Sequence, residues 1–297
     1  MRLPWRKHLR RVRALGLRFT GPHRWAFSID SYEEIEGAVR QMPAAPIPRV
    51  IHQIWLGPER PPSYTMETCR LENPGWLHVV WTEANLPPMV NRKVFDAFGT
   101  AYHAKADVLR YEVLSRYGGV YVDADQLCLR SFDDLLGQGD AFFAGYQNLG
   151  NPDLDDERRR ATLIANAVVG AAPRHPIIER VIRDVGTSTE AKGPPWVTVG
   201  PAALTKAIEE TPARAVVHPF HEFYPYHFTE HIPASPSDML KAIHYGSHSV
   251  SLWGTTLGNY ARCRRPGRPR EGMTEAGEVT IEFAERHRAL AATVYYG

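Results

Sequence analysis

Two carboxylates close a hydrophobic strand in the stretch GGVYVDAD, residues 118–125, and they are the groups best suited to chemistry. Asp123 and Asp125 stand at i and i+2, which on an extended chain points them to opposite sides; a turn starting after Asp123 turns both toward one ligand. Oxygen ligands of this kind suit Mg²⁺ or Mn²⁺, which take one or two protein carboxylates and complete their shell with phosphate oxygens and water. A metal diphosphate is the guest such a pair expects. As a bare motif D-x-D is also an ordinary hydrophilic turn. The preceding segment AKADVLRYEVLSRYGG adds Asp107, Arg110 and Tyr111 at i, i+3 and i+4, one face of a helix. From spacing alone Asp107 and Arg110 fit a structural ion pair as well as a ligand contact.

These residues need a sheet edge to stand on. RVIHQIWL (49–56), WLHVVWTE (76–83), GVYVD, AFFAGYQ (141–147) and LIANAVVGA (163–171) read as strands. Helical stretches are expected near 64–72, 88–98, 103–117, 175–185 and 200–210, where Pro201 suits a first helical position. Strands alternating with helices predict an α/β domain with a mostly parallel sheet, whose ligands gather outside the carboxyl ends of the strands.

The chain has 297 residues, 43% hydrophobic and 23% charged, with a net charge of +2, which is ordinary for a globular protein rather than a disordered or fibrous one. Eight of its Lys and Arg and none of its acids fall in residues 1–29, so the remainder is net acidic. In that arm Trp5, Leu9 and Val12 recur at i, i+4 and i+7 behind Pro4. It reads as a basic amphipathic helix for an anionic membrane surface, as a solvated tail, or as a contact for a phosphate-rich polymer; nucleic acid is not the expected partner of the catalytic body. MPAAPIP (42–48) is a connector, giving a division into an arm and connector (1–46), the main domain (47–260), and a basic loop with a C-terminal helix (261–297). Cys69, Cys128 and Cys263 are widely spaced and odd in number, which predicts free thiols in a reducing compartment. No apolar run is long enough to span a bilayer and no secretory leader is apparent, so the expected location is cytoplasmic, peripheral at the inner face of a membrane if the arm binds lipid.

A-x-A-D-x-x-R-Y followed by G-G-V-Y-x-D-x-D, with I-P-R-V-I-H-Q-I-W-L-G upstream, resembles the glycosyltransferases with a sugar-binding DXD motif. That group includes α-1,6-mannosyltransferases, α-1,4-galactosyltransferases and the glucosylating domains of clostridial toxins; the resemblance covers residues 47–253. It implies a GT-A type, Rossmann-like fold and a metal-dependent, retaining transfer of a hexose from a nucleotide sugar to a hydroxyl of a glycan or glycolipid. It further implies Mn²⁺ or Mg²⁺ on Asp123 and Asp125, a nucleobase stacked on Trp55 with His52 and Gln53 beside it, and sugar hydroxyls on Asp107, Arg110 and Tyr111. In AIHYGSHSVSLWG (242–254), H-x-x-S-x-W points to His248 as a metal ligand, with His244 as its rival, and to Ser251 and Trp253 as donors to the diphosphate. Asn166 and the Gly200–Pro201 turn stand where acceptor contacts are expected. A UDP-sugar is favoured from the Trp55 context, with GDP-mannose also open. The competing readings are a nucleotide-sugar hydrolase, a nucleotidyltransferase on the same metal diphosphate, which would want more glycines than WLGPERPPS offers, and a non-catalytic membrane-peripheral protein.

Overall fold

The computed structural model describes residues 31–136, 139–148, 163–187, 193–227, 246–256, 258 and 260. The basic arm of residues 1–29, His244, and the loop and helix expected beyond 260 lie outside the described residues. In chain order the elements are α1 (Tyr32–Arg40), β1 (Val50–Ile54), α2 (Ser63–Glu72), β2 (Leu77–Trp81), α3 (Arg92–Ala97), α4 (Tyr102–Tyr117), β3 (Gly119–Val122), β4 (Gln126–Cys128), α5 (Asp133–Leu136), β5 (Phe142–Tyr146), β6 (Ile164–Ala171), α6 (Pro176–Thr187), α7 (Pro195–Thr198), α8 (Pro201–Glu210), β7 (Val216–His218) and β8 (Ser249–Ser251).

Six strands form one sheet in the order β2-β1-β3-β6-β5-β7. β2, β1 and β3 are mutually parallel, and β6 runs against both β3 and β5, while β7 is parallel to β5. Five of the six strands therefore point the same way and β6 alone is reversed. This is the mostly parallel α/β sheet expected from the sequence, flanked by helices. Inward and outward residues sort by the two-residue period. Val50, Ile54, Tyr121, Phe142, Ala144, Val169 and Ala171 join the core that also holds Leu109, Ile178 and Leu204 from α4, α6 and α8. Ile51, Val120, Val122, Phe143 and Val168 face the other way, against Cys69 of α2, Phe132, Phe223 and Tyr224. Residues buried on both faces explain why β1 and β3 read as apolar runs rather than alternating strands.

α1 arises within residues assigned from sequence to the arm and connector. Ser31 caps it by accepting from the Glu34 amide, and Ile35 is fully buried in the main core. Between α4 and β3 the chain reverses through Gly118 and Gly119, with φ of 63° and 97°. A Cβ at Gly119 would lie 2.5 Å from the Val50 carbonyl, so only glycine lets β3 enter the sheet there.

The free-thiol expectation is corrected. Cys69 on α2 and Cys128 on β4 form a disulfide with Cα atoms 4.9 Å apart. Spacing in the sequence could not reveal this, because the two cysteines meet only when β4 folds back over α2. The argument for a reducing compartment goes with it.

Candidate active site

Asp123 follows directly on β3, and Asp125 precedes β4, so the D-A-D turn sits at the carboxyl end of a central strand. Its backbone is fixed from three sides. The Asp123 amide donates to the Ala167 carbonyl on β6, Thr65 of α2 donates its hydroxyl to the Ala124 carbonyl at 2.5 Å, and the Leu252 amide donates to the Asp125 carbonyl. β4 pairs with β8 in a separate two-stranded ribbon, Gln126 opposite Ser251, which brings the C-terminal segment onto the turn.

Asp107, Arg110 and Tyr111 share a face of α4 as their spacing predicts, and that face meets Asp123. The Arg110 guanidinium is 2.7 Å from the Asp107 carboxylate and 3.3 Å from Asp123 Oδ1; it donates to the Asn166 carbonyl at 2.5 Å and lies over the Tyr121 ring, 4.4 Å from its centre. The Tyr121 hydroxyl donates to Asp123 Oδ1 at 2.6 Å. The Asn166 side-chain amide donates to Asp107 Oδ1 at 2.8 Å and to the Tyr111 hydroxyl at 3.2 Å. The ion pair allowed by spacing is thus real, and it is also part of the wall around the carboxylate turn.

The carboxylates differ in their surroundings. The Asp123 side chain is 31% exposed, whereas Asp125 is 7% exposed and accepts a hydrogen bond from the Gly254 amide at 2.7 Å. Burial, then the charge of Asp123, push the Asp125 carboxyl up to about 7, against the Gly254 amide, which favours the anion. Burial also raises Asp107 to about 6 although Arg110 pulls it down. A buried carboxylate beside a half-buried one, with Arg110 already shared between Asp107 and Asp123, is an environment a divalent ion would relieve. No group of three or more ligating side chains occurs among the described residues. Two carboxylates whose remaining positions are filled by diphosphate and water match that donor set.

Trp55 stands next to the turn: it is half-buried against Met66, Val80 and Ala124, donates its ring N–H to the Glu59 carbonyl and meets the Tyr260 ring edge-on with centroids 4.9 Å apart. Ser251 and Trp253 also adjoin it, with the Trp253 amide donating to the Ser251 hydroxyl. Trp253 adopts φ 53°, a left-handed backbone that is strained for a bulky residue. Its indole N–H donates to the Tyr226 carbonyl at 2.9 Å rather than facing the carboxylates.

Three expected site residues are not brought to the turn. His52 is fully buried on β1; its Nδ1 accepts from the Trp81 indole and its Nε2 contacts the Gly118 carbonyl at 2.8 Å, so it is a neutral imidazole pinning the glycine turn, with burial lowering its pKa to about 4. Gln53 is fully buried and bonded to His78 at 2.7 Å. The HQIW run reads as a strand end, but both polar side chains point into the sheet's packing rather than out of it. His248 lies at the opposite end of the β4–β8 ribbon from Asp125, stacked near Phe132 and 3.8 Å from Glu222, and burial lowers its pKa to about 4. Conversely, Tyr121, Thr65, Gly254 and Tyr260 were not singled out from sequence. Tyr121 had a signal, since it stands two residues before Asp123 on a strand and so shares its side. The others are joined to the turn only by long-range folding.

A cleft of about 330 Å³ lined by Glu36, Arg40, Arg116, Tyr117 and Arg174 lies at the far end of α4 from Asp107. Its arginines are paired with Glu36 and Glu179, and it holds no residue of the carboxylate site.

Residues 60–142, which contain Asp107, Arg110 and the D-A-D turn, match the family model described as "Glycosyltransferase sugar-binding region containing DXD motif". This segment is similar to that family's sugar-binding region. Among curated proteins, the chain is 26% identical over 228 residues to "Inositol phosphoceramide mannosyltransferase 1" of Schizosaccharomyces pombe, covering 72% of this chain and 61% of the relative. It is 28% identical over 152 residues to "Mannosyl phosphorylinositol ceramide synthase CSH1" of Saccharomyces cerevisiae, covering 49% of this chain and 37% of that protein. The chain thus spans less than two thirds of either relative's length. A solved structure described as "PaToxG Glycosyltransferase" superposes over 96% of this chain and 98% of its own, at 15% identity and a TM-score of 0.46. The matched segment carries Asp107, Arg110, Asp123 and the buried Asp125, with Trp55 just upstream of it and Asn166 downstream.

Proposed function

We propose that the chain is a divalent-metal-dependent glycosyltransferase that moves a hexose, mannose first among the candidates, from a nucleotide sugar to a hydroxyl of a glycolipid. The observation that supports the reading is the Asp125 carboxylate, buried beside Asp123 at the end of β3 with the Asp107–Arg110 ion pair tied to the same turn. The mannosyl and ceramide names of the relatives move the sugar preference from the UDP-linked hexose favoured by the Trp55 context toward mannose, and the acceptor toward an inositol-phosphate lipid.

In this reading Asp125, with Asp123, would hold Mn²⁺ or Mg²⁺. When bound, the cation supplies Lewis-acid stabilisation of the charge that develops on the departing diphosphate. Arg110 holds the Asp107 and Asp123 carboxylates in place, and Asp107 accepts hydrogen bonds from hydroxyls of the sugar. Trp55 offers the edge against which the nucleobase rests. Ser251, on the ribbon beside the turn, donates to the diphosphate; Trp253 takes the same role once its N–H leaves the Tyr226 carbonyl. The carboxylate of Asp107 is engaged by Arg110 and Asn166, which leaves it poorly placed as a nucleophile and favours attack by the acceptor hydroxyl on the face of the leaving group, as the bond from sugar to diphosphate breaks and the departing phosphate oxygen takes the hydroxyl proton, with retention of configuration.

The test incubates the protein with isotopically labelled GDP-mannose and UDP-hexoses, an inositol-phosphate lipid acceptor in detergent, and Mn²⁺ or EDTA. The reading expects one donor to yield labelled lipid of retained anomeric configuration, with EDTA abolishing it. Free labelled sugar with no labelled lipid would favour a hydrolase instead.

A further inference from the structure

Five large hydrophobic side chains are exposed among the described residues: Val90, Tyr146, Trp196, Val197 and Phe220. Isolated exposed apolar residues are ordinary. Trp196 and Val197 are not isolated. They are neighbours on α7, 54% and 42% exposed, behind the exposed Gly193 and Pro194. The whole stretch GPPWVTVGPAALT, residues 193–205, contains no charged residue.

This tip is tied to the sugar-facing part of the site. The Gly200 amide donates to the Pro195 carbonyl at 2.9 Å, and a Cβ on Gly200 would lie 2.7 Å from the Trp196 Cα, so the helix is folded tightly onto that glycine. The Gly200 carbonyl in turn accepts from the Tyr111 hydroxyl at 3.4 Å, and Tyr111 is joined through Asn166 to Asp107. Val199, next to the tip, is buried at 2% exposure and anchors it. A short, uncharged, rigidly mounted tip with a tryptophan at its crest has the composition of an element that enters the headgroup boundary of a bilayer, where an indole sits with its apolar body buried and its N–H in a wet layer.

We infer that the Trp196–Val197 tip is a membrane-surface contact that seats the mouth of the site on a lipid bilayer, so that a lipid-linked acceptor is presented on the Tyr111–Asn166 side. The absence of charge across 193–205 selects the neutral interfacial region over an anionic polymer, and Val197 beside Trp196 adds an apolar group that stacking on a sugar ring does not call for. The choice of a lipid acceptor rests on the glycolipid reading above; the bilayer contact itself does not.

The experiment is co-sedimentation of the full chain with phosphatidylcholine vesicles in high salt, which screens the basic residues 1–29. Wild type, the double variant Trp196→Ser with Val197→Ser, and Trp196→Phe are compared, and a thermal-shift measurement with Mn²⁺ and a nucleotide sugar is run on each as a separate readout of the donor site. Wild type is expected to sediment with vesicles, the double variant to lose about tenfold in partitioning, and Trp196→Phe to keep most of it, with the donor thermal shift equal in all three. Equal sedimentation of wild type and the double variant overturns the inference. So does absence of vesicle binding by wild type together with a raised KM of the double variant for a water-soluble sugar acceptor, which would make the tip a sugar platform. If no protein shows a donor shift while the vesicle difference stands, it is the transferase reading that fails.

Discussion

The Gly254 amide donates to the Asp125 carboxylate at 2.7 Å, joining two residues 129 positions apart in the chain. The bond makes the C-terminal ribbon part of the carboxylate turn, and it accepts an amide oxygen as readily as a carboxylate. Asp125→Asn therefore keeps the link to Gly254 while removing a buried charge. Thermal unfolding without metal should show the variant at least as stable as wild type, and its transfer activity should fall by about a hundredfold or more. A non-catalytic role for the chain predicts no functional change.

The same carboxylate sets a pH dependence. The native pKa values of Asp125 and Asp107, about 7 and about 6, lie above their ordinary value of 3.8, so the folded state binds more protons and these groups withdraw stability as pH rises from about 4 to 7. His52, His78 and His248, lowered by burial to about 4, 3 and 4, act with the opposite sign and favour the fold as pH rises toward 6.5. The difference between wild type and Asp125→Asn isolates the carboxylate: wild type should lose melting temperature relative to the variant from about pH 4 to pH 7 and level off above it. The gain from added Mn²⁺ should grow over the same interval, because the ion needs the deprotonated form. A gap that stays constant with pH contradicts the assignment.

Arg110 is 4% exposed and serves Asp107, Asp123 and the Asn166 carbonyl together. Arg110→Met leaves two carboxylates facing each other without their cation and should cost about 3–5 kcal/mol in denaturant unfolding. Arg110→Lys retains the charge but not the planar fork, and should fall between the two. A loss below about 1 kcal/mol for the methionine variant would show that the network does not hold the turn.

Closing 59 residues of chain, the Cys69–Cys128 bridge ties α2 to β4 directly behind the D-A-D turn. Reduction, or Cys128→Ser, should lower stability by about 2–4 kcal/mol. Mass spectrometry of unreduced protein should find Cys69 and Cys128 linked and closed to alkylation; alkylation of both would return the chain to the free-thiol reading.

Local order made much of this site readable in the sequence. Asp107, Arg110 and Tyr111 share a helix face by spacing, and Asp123 ends a strand whose apolar run marks it as central. What the sequence did not disclose depends on contacts between distant segments: the reversal of β6, whose apolar run is the same in either direction, the Cys69–Cys128 bridge, and the Gly254–Asp125 bond. His52 and Gln53 misled for a related reason. Polar residues on a buried strand read as ligands until their internal partners, the Trp81 indole, the Gly118 carbonyl and His78, are known. For His248 the motif spacing was sound, yet the pairing of Ser249 with Cys128 carries it away from Asp125 and toward Glu222.

The central claim is that Asp123 and Asp125 hold a divalent ion against the diphosphate of a sugar nucleotide. Isothermal titration of GDP-mannose and UDP-hexoses into the protein, with Mn²⁺ and again with EDTA, tests it most directly. The account predicts saturable uptake of one donor with Mn²⁺, lost with EDTA and lost in Asp125→Asn. Uptake of equal strength with and without the metal, or none in either condition, would contradict it.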